Sequence, residues 1–276
     1  MERVELVNAF AGTSSYYRRL RPGIPVELAA LLDAAAPVGS PRRLLDVGTG
    51  PGLVAHALLR YFDDLFAVDS DTAMLAEAET MLQSAVSASH RLQIRHTRAE
   101  DFVPPEGWRP HLVTCCRVFH WLDQRRFLDR LSEYVAPDGV VAVFSDRSLW
   151  TADNEWQQAA RAVVREFLGE HRRAGAGVFG PPGPPFADVL RASAFCDVTT
   201  TVIPVHREWI IAKVTGYLYS TSFAAPQLFG DRRRAFETAL EDALAPFTTG
   251  GVLTEDNAFT VHTARRPSPS KDQQWT

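Results

Sequence analysis

Residues 44–52 read LLDVGTGPG: an apolar run carrying Asp46, then Gly48, Gly50 and Gly52 at alternate positions around Thr49. Glycine tolerates positive φ at a tight turn, and a backbone without Cβ atoms can pass close beside a ligand. Between a strand and a helix, such a loop suits a nucleotide. A second apolar run, DLFAVD (64–69), ends in Asp69, 21 residues after Gly48. A carboxylate there can accept hydrogen bonds from both hydroxyls of an adenosine ribose. The glycine spacing is G-x-G-x-G, not the G-x-G-x-x-G of dinucleotide loops. A charged residue before the turn is also atypical of them, and both features weigh against a nicotinamide-dependent oxidoreductase.

Candidate proton acceptors are few. His120 follows the fourth strand-like run in CCRVFHWLD (115–123), where it faces a ligand or else caps the next helix and packs on Trp121. Asp146 follows the fifth such run, at the same rim, or caps a turn. His171 and His206 fall late in the chain, where surface roles are the plainer reading. Phe119, Trp121 and Trp150 could wall a pocket, since aromatic faces attract cations, or could be plain core. Tyr16 and Tyr17 carry the same choice between ligand contact and helix core. Arg232, Arg233 and Arg234 read as a solvated helix start. No His, Asp or Glu group has metal-ligand spacing, so no metal is expected.

The elements that must position these residues alternate. Short apolar runs at 42–48, 64–69, 91–96, 111–118 and 139–145 are separated by helix-patterned runs at 53–62, 72–86 and 125–135. That order implies parallel strands with helical crossovers, and near-continuous apolar strands imply a sheet covered on both faces. Helices are expected at 154–171, 186–195, 212–222 and 231–247, and strands at 197–209 and 257–266. The Gly/Pro-rich stretch 174–185 is a candidate mobile lid or a passive loop, and 267–276 reads as a disordered tail.

The chain has 276 residues, 46% of them hydrophobic, and a net charge of −4. That supports a large core, and an acidic balance speaks against a nucleic-acid-gripping protein. Cys115, Cys116 and Cys196 form no CxxC pair, which fits reduced, buried thiols in a cytoplasmic protein. No signal peptide or apolar run of 18 residues is present, so neither secretion nor membrane insertion is expected. Arg far outnumbers Lys, found only at 213 and 271, a bias that points to a bacterial genome.

DVGTGPG, AVDSD at the end of the second run and RAEDF (98–102) together resemble the class I S-adenosylmethionine-dependent methyltransferases. YYRRLRPGIP (16–25), CCRVFHWLD and GYLYSTS (216–222) resemble its small-molecule branch, which includes trans-aconitate methyltransferase-like and natural-product enzymes. The resemblance spans residues 10–266. It implies an α/β, doubly wound, seven-stranded Rossmann-like sheet of order 3-2-1-4-5-7-6 with the last strand antiparallel. A single domain over 1–266 would carry a helical lid at 1–40 and substrate-cap insertions at 147–195 and 205–250. It implies S-adenosylmethionine as methyl donor and S-adenosylhomocysteine as product. Gly48, Thr49, Gly50 and Gly52 would line the cofactor; Asp46 would orient the loop and reach the methionine ammonium directly or through water. Asp69 would hold the ribose, and Ala99 and Glu100 would meet the adenine edge. The Arg117 backbone would lie near the methionine portion, Tyr17 would close over the cofactor, and Arg21 would reach the methionine carboxylate or anchor its segment. Tyr16, Phe119, His120, Trp121, Asp146 and Trp150 would face the acceptor, with His120 the candidate base. The implied reaction is methylation of a small metabolite, first at oxygen, with carbon or nitrogen methylation or cyclisation as alternatives. Nucleic-acid and membrane partners are not expected, and oligomeric state stays open.

Overall fold

The computed structural model describes residue 10 and residues 12–88, 90–171, 173–174, 177–178 and 183–267. Seven strands form one sheet: β1 (Arg43–Val47), β2 (Asp64–Asp69), β3 (Arg91–His96), β4 (Leu112–Cys116), β5 (Val140–Asp146), β6 (Asp197–Trp209) and β7 (Leu253–Arg265). Their order is 3-2-1-4-5-7-6. β1 pairs in parallel with β2 and β4, and β7 runs antiparallel to both β5 and β6. Fold class and strand order match the resemblance.

Helices flank the sheet: α1 (Ser14–Leu20), α2 (Val26–Ala35), α3 (Leu53–Leu58), α4 (Thr72–Gln83), α5 (Gln124–Tyr134), α6 (Glu155–Leu168), α7 (Phe186–Arg191), α8 (Ile211–Tyr219) and α9 (Arg233–Leu244). Side chains alternate across a pleated strand, so neighbours enter opposite cores. Leu44, Leu65, Val140 and Ala142 pack under α2, α3 and α4. Leu45, Phe66, Val141 and Val143 pack under α5 and α7. Both faces are covered, as the apolar strands require.

A third cluster belongs to the roof: Trp156, Val163 and Val164 of α6 meet Val214 and Leu218 of α8 and Phe236 and Leu240 of α9. Phe229 and Phe236 stack there at 4.0 Å between ring centroids.

The structure divides the expected lid and insertions differently. Leu28 and Leu32 of α2 are fully buried in the sheet core, so among the described residues of the 1–40 stretch it is α1 that lies against the roof. Leu190 and Phe195 seal the opposite sheet face, which makes α7 part of the sheet's cover. β7 begins four residues earlier than residue 257, because Leu253 and Glu255 continue its buried alternation. Residues 268–276 of the tail expected at 267–276, residues 1–9, and 175–176 and 179–182 of the Gly/Pro-rich stretch lie outside the described residues. Within that stretch Arg173–Ala174 pairs with Gly177–Val178. Among the described residues no helix is long and apolar enough to cross a membrane.

Candidate functional site

β1 and β2 deliver Asp46 and Asp69 to their carboxyl ends, and the chain turns at once into the glycine loop. Gly48, Gly50 and Gly52 all have positive φ, at 60°, 54° and 88°. At Gly48 space forbids a side chain as well: an added Cβ would lie 2.4 Å from Val118 Cγ2. The backbone therefore passes flush against the turn that follows β4.

Two carboxylates hold the loop from below. Asp46 is 1% exposed and accepts hydrogen bonds from Thr49 Oγ1 at 2.6 Å and Thr114 Oγ1 at 2.7 Å. Burial raises its pKa to about 6, although both hydroxyls oppose the shift. Asp46 thus orients the loop, the first of its two expected tasks, and sits sealed beneath it. Asp69 Oδ2 accepts from Gly50 N–H at 2.8 Å, and its Oδ1 accepts from Asp71 N–H at 2.9 Å. Burial raises its pKa too, against the pull of those backbone donors. The loop and the candidate ribose acid are thereby one bonded unit.

The turn after β3 is tied to the start of α5. Ala99 is nearly buried, and Glu100 is 3% exposed with Oε1 accepting from Asp123 N–H at 2.8 Å. The Glu100 carboxylate fixes where α5 begins.

The rim over β4 and β5 is an ion-pair chain. Arg117 donates through Nε and Nη2 to Asp146 at 2.6 and 2.9 Å, and through Nη1 to the Pro22 carbonyl at 3.1 Å. Arg117 has φ 58°, the one non-glycine positive φ among the described residues, and a doubly tethered side chain can maintain such strain. Arg207 Nη2 donates to Asp146 Oδ2 at 2.8 Å, and its Nη1 lies 3.4 Å from Glu255 Oε2. Trp209 Nε1, Gln157 Nε2 and Asn257 Nδ2 complete the Glu255 carboxylate. Two guanidiniums hold the Asp146 carboxyl down at about 2 against the cost of burial. Asp146 is therefore a structural anion, a poor proton acceptor near neutral pH.

Other expected acceptor residues separate. Phe119 is 1% exposed, with its ring 5.2 Å from Phe186 and 6.5 Å from Phe127, so it is sheet core, not a pocket wall. Trp150 packs 5.4 Å from Phe223 inside the roof. The Tyr16 hydroxyl accepts from Arg233 Nη2 at 3.2 Å, which turns it to α9. Tyr17 lies under the Arg21 guanidinium at 4.7 Å. His120 is exposed and tilted 4.8 Å from Trp121, two residues after Val118. His206 faces outward and meets Asp256 at 2.8 Å, and His171 is exposed. Cys115 is buried with its thiol held far up by desolvation. Among the described residues no cluster could hold a metal ion.

Sequence reading missed Arg207, Tyr217, Ser220 and Glu255. Their available signal was alternation: Arg207 and Trp209 on β6 face Glu255 and Leu253 on β7 in register, charged residues repeating among buried positions.

The methyltransferase domain family matches residues 45–141. An uncharacterized methyltransferase of Mycobacterium tuberculosis is 35% identical over 41% of this chain and 55% of its own length. A trans-aconitate 2-methyltransferase of Methylobacterium radiotolerans is 34% identical over 42% of each chain. The chain spans about half the length of the curated relatives it matches. In fold it superposes on an S-adenosylmethionine-dependent methyltransferase of Thiobacillus denitrificans, solved with S-adenosyl-L-homocysteine, at a TM-score of 0.51, 15% identity and 97% and 100% coverage. With its seven-stranded order and its tethered glycine loop, this chain has the fold of S-adenosylmethionine-dependent methyltransferases and carries a methyltransferase domain over residues 45–141.

Proposed function

We propose that the chain transfers a methyl group from S-adenosylmethionine to a small organic acceptor, at a carboxyl or hydroxyl oxygen. The observation that carries this reading is the Gly50–Asp69 bond beside a Gly48 with no room for a side chain. It is a bare, preorganised cradle ending in a carboxylate. The cofactor fits this donor set: bare loop backbone for its amino-acid and ribose end, Asp69 for its hydroxyls, and the turn at Arg117–Val118 for its methionine portion. When bound it supplies an activated methyl on a sulfonium.

The chain's own residues have to orient and enclose. Gly48, Gly50 and Gly52 let the backbone approach, Thr49 and Asp46 keep the loop from moving, and Tyr17 covers it from α1. Orientation of two reactants can be worth about 7–11 kcal/mol. Asp146 is spent on two arginines, which leaves His120 as the exposed imidazole nearest the β4 rim and the candidate proton acceptor. A carboxylate acceptor needs none. The roof of α6, α8 and α9, rich in aromatic residues, suits an organic metabolite, and the kinship with a trans-aconitate enzyme favours oxygen. Secondary metabolism and a cytoplasmic site are the settings this composition fits.

Radiolabelled methyl transfer to matched acids, alcohols and amines tests the reading. Label on oxygen supports it; label on carbon or nitrogen moves the acceptor atom. Binding of NAD in place of S-adenosylhomocysteine would replace it with the oxidoreductase alternative.

A further inference from the structure

The sheet has two edges, and they are built differently. β3 closes one and β6 the other. An unpaired strand row is a template for another chain unless charge, proline or a bulge blunts it. β3 reads RLQIRH (91–96), with Arg91, Arg95 and His96 exposed. Two copies pairing there antiparallel about Gln93 would set Arg91 against Arg95, and like charges directly opposite are destabilising. The first half of β6 carries no such guard. Val198, Thr199, Thr200, Thr201 and Val202 are all β-branched and uncharged, and Val202 is 61% exposed.

Which main-chain groups of β6 face outward follows from Pro204, which stands opposite Ala258 of β7. A proline has no N–H to give a ladder, and it sits in edge strands with its nitrogen turned outward. Ala258 agrees: its own N–H goes to Asn257 Oδ1 at 2.7 Å, not to β6. The two residues are thus a non-hydrogen-bonded pair of the antiparallel ladder. Alternation then turns the backbone of Val198, Thr200 and Val202 outward as well. β6 is the last strand of the sheet, so among the described residues no strand meets that row.

The run V-T-T-T-V reads the same in both directions. A two-fold interface brings one patch of both copies together, residue i against j and j against i. Antiparallel pairing about Thr200 sets Val198 against Val202, Thr199 against Thr201 and Thr200 against its own copy. Each outward pair exchanges two N–H···O bonds, and β-branched and Thr–Thr neighbours across strands are favourable. Asp197 falls opposite Ile203, so no like charges meet. The ladder stops where Pro204 has no N–H to offer.

We propose that the chain forms a two-fold dimer by antiparallel pairing of β6 over residues 198–202 with a second copy, joining two seven-stranded sheets edge to edge. A second copy is the occupant because the run matches itself in side-chain shape and carries no charge to select a foreign strand. So short a strand pair buries less than the about 1,200 Å² of a standard interface, and the dimer therefore dissociates on dilution. Strands β4, β5 and β7 separate β6 from β1, so pairing at this edge leaves the glycine loop as it is.

Sedimentation velocity on the full chain across a hundredfold concentration series, with residue-resolved amide hydrogen exchange at both ends of the series, tests the pairing. The expected result is a reversible dimer in which the amides of Val198, Thr200 and Val202 exchange at least tenfold more slowly at the high end. Thr200→Lys sets two ammonium groups beside the two-fold axis and should weaken association at least tenfold. Gln93→Lys, on the other edge, should leave association within twofold, and both variants should bind S-adenosylhomocysteine within twofold of wild type. A wild type that is monomeric throughout would overturn the dimer and leave the edge to a strand of another protein. A dimer whose 198–202 amides exchange at one rate at both ends would place the interface elsewhere and overturn the proposal without any variant having to fold. Association undiminished in a folded Thr200→Lys would do the same.

Discussion

The glycine loop and the roof above it are held by different physics. In the loop half, residues 43–146, the decisive groups are main chain: three positive-φ glycines, a Gly50 N–H fixed on Asp69, and a Val118 side chain pressed against bare backbone. In the roof, residues 147–255, the decisive groups are side chains, and Arg207, Glu255, Trp209 and Gln157 meet across more than 45 residues of sequence. A backbone cradle leaves a local pattern in the sequence. A side-chain network leaves only scattered charges.

The largest effect should come where the two halves are joined. Asp146→Ala leaves Arg117 and Arg207 buried without their shared carboxylate, and breaking a buried pair costs about 3–5 kcal/mol. Urea denaturation should show a loss of that size. A loss below about 1 kcal/mol would mean the rim does not depend on the pair.

Gly48→Ala confines its damage to the loop. Left-handed backbone costs a non-glycine residue about 1–2 kcal/mol, and the clash with Val118 adds overpacking of about 1–3 kcal/mol. Affinity for S-adenosylhomocysteine should fall at least a hundredfold by calorimetry. A variant that binds normally would show that the loop does not need bare backbone there.

The carboxylate under the loop and the one at the joint between the halves should titrate with opposite sign. Asp46, raised by burial to about 6, favours the folded state most below about pH 4. That contribution is lost as pH rises through about 6, up to about 3 kcal/mol for a shift of this size. Asp146, lowered to about 2 by its arginines, contributes above about pH 4 and loses that contribution as pH falls through about 2. Denaturation curves from pH 4 to 7 should therefore flatten in Asp46→Asn. An unchanged slope would remove Asp46 as its source.

Trp150→Leu tests the separation from the roof side. Trp150 packs on Phe223, away from the glycines, so S-adenosylhomocysteine affinity should change less than twofold while acceptor KM shifts. A tenfold loss of cofactor affinity would show that the roof and loop are not separable.

What the sequence made legible follows the same division. Period-two and helical spacing located β2, β3 and β6 with the bounds the structure has, and the glycine loop with Asp69 stood out as a local motif. Phe119 was misplaced because an aromatic residue next to a motif looks the same whether it faces a pocket or a core. Glu100 stood out by its neighbours in the motif, but its bond to Asp123 N–H, 23 residues away, has no local signal. Arg207 and Glu255 were missed because their meaning lies in strand register between β6 and β7, which no local window contains.

The central claim is that the bare loop at 48–52, bonded to Asp69, holds an adenosyl cofactor. Isothermal titration of the folded chain with S-adenosylhomocysteine at pH 7.5 tests it most directly. The account predicts one-to-one binding at micromolar affinity or tighter, weakened at least tenfold by Asp69→Ala. Absence of binding by both S-adenosylhomocysteine and S-adenosylmethionine, in protein that melts cooperatively, would contradict it.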